Sequence, residues 1–280
     1  LIRVGTRGSA LALAQATWVG DRLGAEYSLV EVEAAGPVGD KSRWVSSLER
    51  ALLAGSVDVA VHSAKDVPAE LAPGLSLVAI PEREDPRDAL CGAVSLSDLA
   101  PGARVGTSSL RRAAQIRAFR SDVSVVDLRG NVDTRLRKLT AGECDALVLA
   151  VAGLARLGRM DAVDGVLDEL VPAAGQGALA VEARPDMVAA VSGLVDFDAT
   201  ACVMAERELT RLLGASCNTP VGAYARVVSE GSGGELELTA WVGRPDGSAW
   251  VKDVLRGPPT EVGRAVADRL LAAGAAELLS

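Results

Sequence analysis

Aromatic residues are nearly missing from this chain of 280 residues: four tryptophans, two tyrosines and two phenylalanines make up 3% of it. Its cores must therefore be filled by Ala, Val and Leu. So few rings exclude a base-stacking platform for single-stranded nucleic acid. Histidine occurs once, at His62, which leaves little scope for a histidine-based metal site or triad, and no metal is expected. The four cysteines, Cys91, Cys144, Cys202 and Cys217, show neither metal-ligand spacing nor a disulfide framework. A reducing cytoplasm is the simplest reading. No apolar run reaches the ~18 residues that span a bilayer, and no basic-then-apolar leader is visible. No membrane span is expected; a cleaved leader stays open, because the sequence starts at Leu1 without a Met. Positive charge is short as well: the net charge of −8 argues against general nucleic-acid binding.

That shortage is uneven. Between Arg104 and Lys138 nine basic residues (104, 111, 112, 117, 120, 129, 135, 137 and 138) face three acids, Asp122, Asp127 and Asp133. The segment is net +6 inside an acidic protein, and arginine outnumbers lysine eight to one. Arginine is suited to fixed, two-pronged recognition of carboxylate or phosphate. Some of these residues belong to solvated helix faces, but their concentration against the overall charge points to an anion site.

The stretch Val61-His62-Ser63-Ala64-Lys65-Asp66-Val67-Pro68 is the most informative one. It follows the apolar run Val57–Val61, which reads as a buried strand, and Pro68 stops any regular continuation. Ser63, Lys65 and Asp66 thus stand where a strand runs out into a loop, the place where open α/β sheets bind ligands. A hydroxyl, a cation and a carboxylate within four residues can hold an anion and move a proton. The competing reading is a solvated turn with a local ion pair.

Along the chain, strand and helix patterns alternate. Ile2–Gly5 reads as a strand, and Ser9 caps a helix with an apolar stripe running to Leu23. Leu29–Val32 is a strand, Ser46–Ala54 a helix ended by Gly55, and Leu75–Ile80 a strand. The charged run Glu82–Asp88, broken by Pro86, looks like a crossing between domains. Strand Ala103–Gly106 leads into Thr107-Ser108-Ser109 and a helix Leu110–Phe119. Hydroxyls at a helix start make an anion cradle, or simply a cap. Val123–Leu128 is a strand followed by Arg129-Gly130-Asn131 and a helix carrying Arg135. Ala146–Val151 is a buried strand that leads to Arg156. A loop at Pro172–Gly177 returns to strand Ala178–Val181. From Asp198 the character changes: a helix, the turn-rich loop Gly214–Pro220, alternating antiparallel strands, and a last helix from about Glu261 to Leu279. The expected class is α/β, two doubly wound domains plus a small C-terminal α+β domain.

Nine short segments in register call up a family: residues 5–9 (Gly-Thr-Arg-Gly-Ser), 61–68, 84–88 (Glu-Asp-Pro-Arg-Asp), 105–112 (Val-Gly-Thr-Ser-Ser-Leu-Arg-Arg), 128–131, 134–136, 152–154, 175–177 (Gly-Gln-Gly) and 205–207. Over essentially its whole length the chain resembles the porphobilinogen deaminases, also called hydroxymethylbilane synthases. The resemblance implies two periplasmic-binding-protein-like domains with a cleft between them, residues 1–84 with 175–195 and residues 85–174. It also implies a third domain, 196–280, that presents a cysteine loop. The implied reaction joins four porphobilinogen molecules head to tail, with loss of ammonia, into linear hydroxymethylbilane. The implied cofactor is a dipyrromethane bound through a thioether to Cys217. The implied partners are porphobilinogen and the growing pyrrole chain, in a monomeric cytoplasmic enzyme.

Residue by residue, Asp66 falls on the family's catalytic position. Ser63, Lys65, Thr107, Ser108, Ser109, Arg111, Arg112, Arg129 and Arg135 fall on cofactor-binding positions, and Arg7, Ser9, Arg129 and Arg156 on substrate-binding ones. Each pyrrole carries an acetate and a propionate, so chain growth adds two negative charges per step, and an acidic protein needs a local set of fixed cations to hold it. One departure stands out. The segment 35–44 is about a dozen residues shorter than the family's mobile loop, with Lys41 and Trp44 at its last positions. Either the lid is short or a stretch is absent from this sequence. On fold alone, a non-enzymatic anion receptor fits equally well.

Overall fold

The computed structural model describes residues 1–33, 42–216, 218–228 and 234–279. In its first half the chain forms β1 (Ile2–Thr6), α1 (Ala10–Gly20), β2 (Tyr27–Glu31), α2 (Ser42–Leu53), β3 (Val59–Ser63), β4 (Ser76–Ala79), β5 (Asp88–Cys91), β6 (Arg104–Gly106), α3 (Leu110–Phe119), β7 (Ser124–Val126) and α4 (Val132–Thr140). There follow β8 (Ala146–Ala150), α5 (Val151–Arg156), β9 (Gly165–Leu167), β10 (Leu179–Ala183), α6 (Val188–Val191), α7 (Phe197–Leu212), β11 (Val221–Val227), β12 (Leu236–Gly243), β13 (Trp250–Gly257), α8 (Val262–Ala272) and α9 (Ala275–Leu279). The chain folds into two compact units, residues 1–84 with 177–201 and residues 85–176 with 202–280. Among the described residues no helix is long and apolar enough to cross a membrane.

In the first unit the sheet order is β2-β1-β3-β10-β4. β1 pairs in parallel with β2 and β3, while β10 runs antiparallel to β3 and β4. Side chains alternate across a strand, and β3 shows the result. Val59 and Val61 join Ala16 and Val19 of α1 in one cluster, whereas Ala60 joins Leu48 and Leu52 of α2 in another. Helices therefore cover both faces. Ser9 caps α1 by accepting from the Ala12 N–H at 3.3 Å. α1 stops at Gly20, so Leu23, expected on its stripe, is buried just beyond the helix.

The second unit repeats the pattern. Its sheet order is β7-β6-β8-β5-β9, with β6 parallel to β7 and β8, and β5 antiparallel to β8 and β9. Along β8, Ala146 and Val148 face Ile116 of α3, and Leu147 and Leu149 face Leu136 of α4. Both sheets set three parallel strands side by side with the earliest of them in the middle, next to one antiparallel strand, without any evident sequence repeat. A third, antiparallel sheet, β11-β12-β13, follows. α8 packs on β12 and β13, and Trp241 from the same sheet packs with Ala114 of α3 and Val171. The fold is thus α/β with two sheet domains and a small C-terminal α+β domain.

The expected single terminal helix is two. Gly274, at φ +91°, breaks it between α8 and α9, a backbone state that costs glycine little and other residues much. The strand before Ser63 also begins two residues later than its apolar run and includes Ser63 itself.

Candidate functional site

Because β1, β2 and β3 run parallel, their carboxyl ends share one edge of the first sheet. Arg7 and Ser9 follow β1 there, Ser63 is the last residue of β3, and Lys65 and Asp66 follow it. A single 3₁₀ turn, Ala64–Asp66, carries the last two. Ser63 exchanges two hydrogen bonds with the buried amide of Gln15 on α1: the Gln15 Nε2 donates to its Oγ at 2.9 Å, and the Oγ donates back to Oε1 at 3.3 Å. Arg7 lies over the ring of Trp44, 4.9 Å from guanidinium carbon to ring centroid, a cation–π arrangement that fixes the guanidinium. Asp66 is half-buried and makes no hydrogen bond or ion pair among the described residues. Behind this edge His62 and Glu182 form a fully buried pair at 2.9 Å between β3 and β10.

In the second sheet β6, β7 and β8 are parallel and again end on one edge. Thr107 follows β6, is buried, and accepts from the Ser109 N–H at 3.2 Å. Ser109 caps α3. Ser108 accepts from Arg135 Nη2 at 3.0 Å, and Arg135 Nε donates to the Gly130 carbonyl at 2.8 Å. Burial, then the neighbouring Arg112 and Arg129 charges, lower the pKa of the Arg135 guanidinium, with Asp127 opposing. Arg129 follows β7, is 75% exposed and pairs with Asp127 at 2.8 Å. Arg156 closes α5, half-buried, six residues beyond the end of β8.

Arg111 and Arg112 are the surprise of this edge. They are buried, not open, and both bind Asp88 on β5, at 2.8 and 2.7 Å. Burial alone would raise the Asp88 pKa, but the two guanidiniums hold its carboxyl well below the usual range. Two cations on one buried carboxylate, with Arg135 close enough to feel Arg112, leave an excess of positive charge. That excess suits a ligand rich in carboxylates, as a dipyrromethane with its acetates and propionates is.

Cys217 and Lys41 lie outside the described residues, as do residues 35–40 of the segment expected to be short. Gln15, Asp88 and Glu206 were not foreseen as site residues. Glu206 is fully buried and accepts from the Gly175 and Ala225 N–H groups at 2.6 and 2.7 Å, fixing the Gly175–Gly177 loop. A polar residue on an apolar stripe (Gln15 between Ala12, Ala16 and Val19) and an acid opening an apolar strand (Asp88) were the available signals.

Residues 2–191 match the family described as "Porphobilinogen deaminase, dipyromethane cofactor binding domain", and residues 200–272 match "Porphobilinogen deaminase, C-terminal domain". The porphobilinogen deaminase of Thiobacillus denitrificans is 45% identical, over 99% of this chain and 97% of its own. Those of Geobacter sulfurreducens and Deinococcus deserti are 44% and 43% identical, covering 100% and 99% of this chain and 94% and 97% of theirs. The alignment with the Thiobacillus protein runs over 302 positions, so that relative carries residues this shorter chain lacks. The chain belongs to the porphobilinogen deaminase family, the dipyrromethane-bearing transferases that join porphobilinogen into hydroxymethylbilane.

Proposed function

We propose that Asp66 is the proton-transfer group of this deaminase and that the basic and hydroxyl residues at the two sheet edges hold the carboxylates of substrate and chain. The observation that carries the assignment is the state of Asp66. Asp88, Glu182 and Glu206 are buried and committed to partners, whereas Asp66 is half-buried at a strand end with its oxygens unengaged among the described residues. Asp66 moves the proton at the aminomethyl nitrogen as ammonia leaves. As a carboxylate it then faces the cation left on the substrate. Lys65 and Ser63, the latter held by Gln15, bind cofactor carboxylate beside it. Arg7, Ser9 and Arg156 take substrate carboxylates.

Thr107, Ser108, Ser109, Arg111, Arg112, Arg129 and Arg135 hold the cofactor, with Arg129 also reaching substrate, and Cys217 is its thioether anchor. When bound, the dipyrromethane supplies the pyrrole carbon nucleophile on which the chain grows. An attacking carbon needs no activated serine or histidine, in keeping with a chain whose one histidine is buried against Glu182.

The domain boundaries we infer are 1–84 with 175–195, 85–174 and 196–280, supported by three separate sheets. The shared arrangement of three parallel strands beside one antiparallel strand supports reading the first two as periplasmic-binding-protein-like lobes. We place the enzyme in the cytoplasm on the cysteine usage, and as a monomer on the family resemblance alone.

The test is single-turnover ammonia release with the cofactor already attached. Asp66→Asn keeps size and hydrogen bonding but removes the acid, and release should slow by at least ~100-fold. Asp66→Glu should retain part of the rate. Near-normal release by Asp66→Asn would move the role elsewhere.

A further inference from the structure

The carboxylate of Asp88 serves more neighbours than any other described side chain at the second edge. Its Oδ1 accepts from Arg112 Nη2 at 2.7 Å, Arg112 Nε at 3.0 Å, Arg111 Nη2 at 3.2 Å and Gln176 Nε2 at 2.7 Å. Its Oδ2 accepts from Arg111 Nη2 at 2.8 Å. Consecutive residues on a helix point about 100° apart and do not face each other. Arg111 and Arg112 reach one carboxylate because their long stems converge on it. Each guanidinium is also pinned to a backbone carbonyl, Arg111 Nη1 to Val171 at 2.6 Å and Arg112 Nη1 to Val148 at 3.1 Å. Gln176 donates as well to the Pro86 carbonyl at 2.7 Å, so the Gly-Gln-Gly loop is tied to the same acid. Asp88 has no exposed surface, and Arg111, Arg112 and Gln176 are at most 6% exposed.

We propose that Asp88 is a positioning residue: it fixes the planes of the Arg111 and Arg112 guanidiniums, through which it acts on the carboxylates of the pyrrole chain. The proposal rests on reading those two arginines as holders of the chain. Two observations support it. Two buried guanidiniums share one buried acid, so the cluster keeps a positive charge that an anion would offset. Among the described residues the buried Arg111 Nε–H has no partner, a donor left over once Asp88 and Val171 are served. An isolated buried donor of this kind costs stability and marks the arginine as incompletely satisfied by the protein itself.

Positioning and bulk electrostatics predict opposite outcomes. Asp88→Asn adds one net positive charge, and on charge alone it would bind an anionic chain more tightly. On positioning it binds more weakly, because the guanidiniums lose their common acceptor and an amide N–H can be turned against them.

The experiment compares Asp88→Asn, Asp88→Glu and Arg112→Leu. For each it measures the thermal melt, the fraction of chains carrying dipyrromethane by intact mass, and KM and kcat of the loaded fraction well below the melt. Asp88→Asn is expected to melt lower and to load about tenfold less, the equivalent of one charge-assisted contact. Asp88→Glu keeps the charge but displaces it. It should fold and load, with KM raised severalfold at unchanged kcat, a split that a purely structural residue would not produce. If Asp88→Asn fails to fold, Asp88→Glu decides. Wild-type KM in Asp88→Glu, or wild-type loading in folded Asp88→Asn, overturns the positioning role. When Arg112→Leu loses loading in the same series, that failure belongs to Asp88 alone. When Arg112→Leu loads and binds normally, the reading of the arginines is what fails, and the proposal with it.

Discussion

Replacing Arg135 by leucine should separate binding from stability. The side chain makes two hydrogen bonds, to Ser108 Oγ and to the Gly130 carbonyl. With a charged donor but a partly solvated setting, each is worth about 1.5 kcal/mol, the low end for such bonds, and their loss costs about 3 kcal/mol. Against that, the substitution removes a desolvated cation that lies near Arg112 and Arg129. Gly130 is exposed, so its carbonyl recovers a water, and the Ser108 hydroxyl can turn to another acceptor. Arg135→Leu should therefore fold with a melting temperature close to wild type.

Anion binding should suffer more. One charge-assisted contact to a chain carboxylate is worth about 1.5–3 kcal/mol, and at 1.4 kcal/mol per decade that is roughly a 10- to 150-fold loss of affinity. Arg135→Lys should fall between, keeping the charge without the two-pronged fork. The assays are intact mass for cofactor loading and steady-state KM for porphobilinogen at low and high salt, since a screened contact weakens with ionic strength. An Arg135→Leu protein that melts far below wild type yet loads cofactor and keeps its KM would refute the reasoning: Arg135 would then be structural.

Two other outcomes follow from the same geometry. Asp88, Asp58 and Asp85 all have pKa values lowered by arginine partners, those of Asp58 and Asp85 chiefly through hydrogen bonds from Arg3 and Arg87. A lowered carboxylate contributes stability that is present above its unfolded value of about 3.9 and is lost as pH falls below it. Urea melts from pH 6 downward should be flat until about pH 4 and then fall, and Asp88→Asn should shallow that fall. Among the cysteines, burial first, then Asp164 and Cys144, pushes the Cys91 thiol up to about 11, and burial raises Cys144. Cys202 is buried. Iodoacetamide at neutral pH should spare all three in the native protein. Cys202→Ser should keep the pyrrole adduct and Cys217→Ser should lose it.

Local patterns carried much of this fold. Helix Leu110–Phe119 and its cap at Ser109 follow from hydroxyls placed after a strand glycine, and β8 follows from an unbroken apolar run. What local pattern does not hold is pairing. β10 inserts antiparallel between β3 and β4, more than a hundred residues from its partner, and nothing in Leu179–Ala183 encodes that register. The short strands β5 and β9 are likewise defined by their partners. The site divides in the same way. Ser63, Lys65 and Asp66 were visible because an apolar run ends at them. Arg111 and Arg112 read as open cations because Asp88, 23 and 24 residues earlier, becomes their neighbour only in the folded sheet.

The most direct measurement is the intact mass of the purified full-length protein, before and after substoichiometric porphobilinogen. The expected spectrum shows the chain plus one dipyrromethane, then a ladder of added pyrrole units, with every increment mapping to the Cys217 peptide. A protein at the bare sequence mass that gains nothing from porphobilinogen would contradict the assignment of this chain as a working deaminase. An adduct on any other cysteine would contradict its anchor.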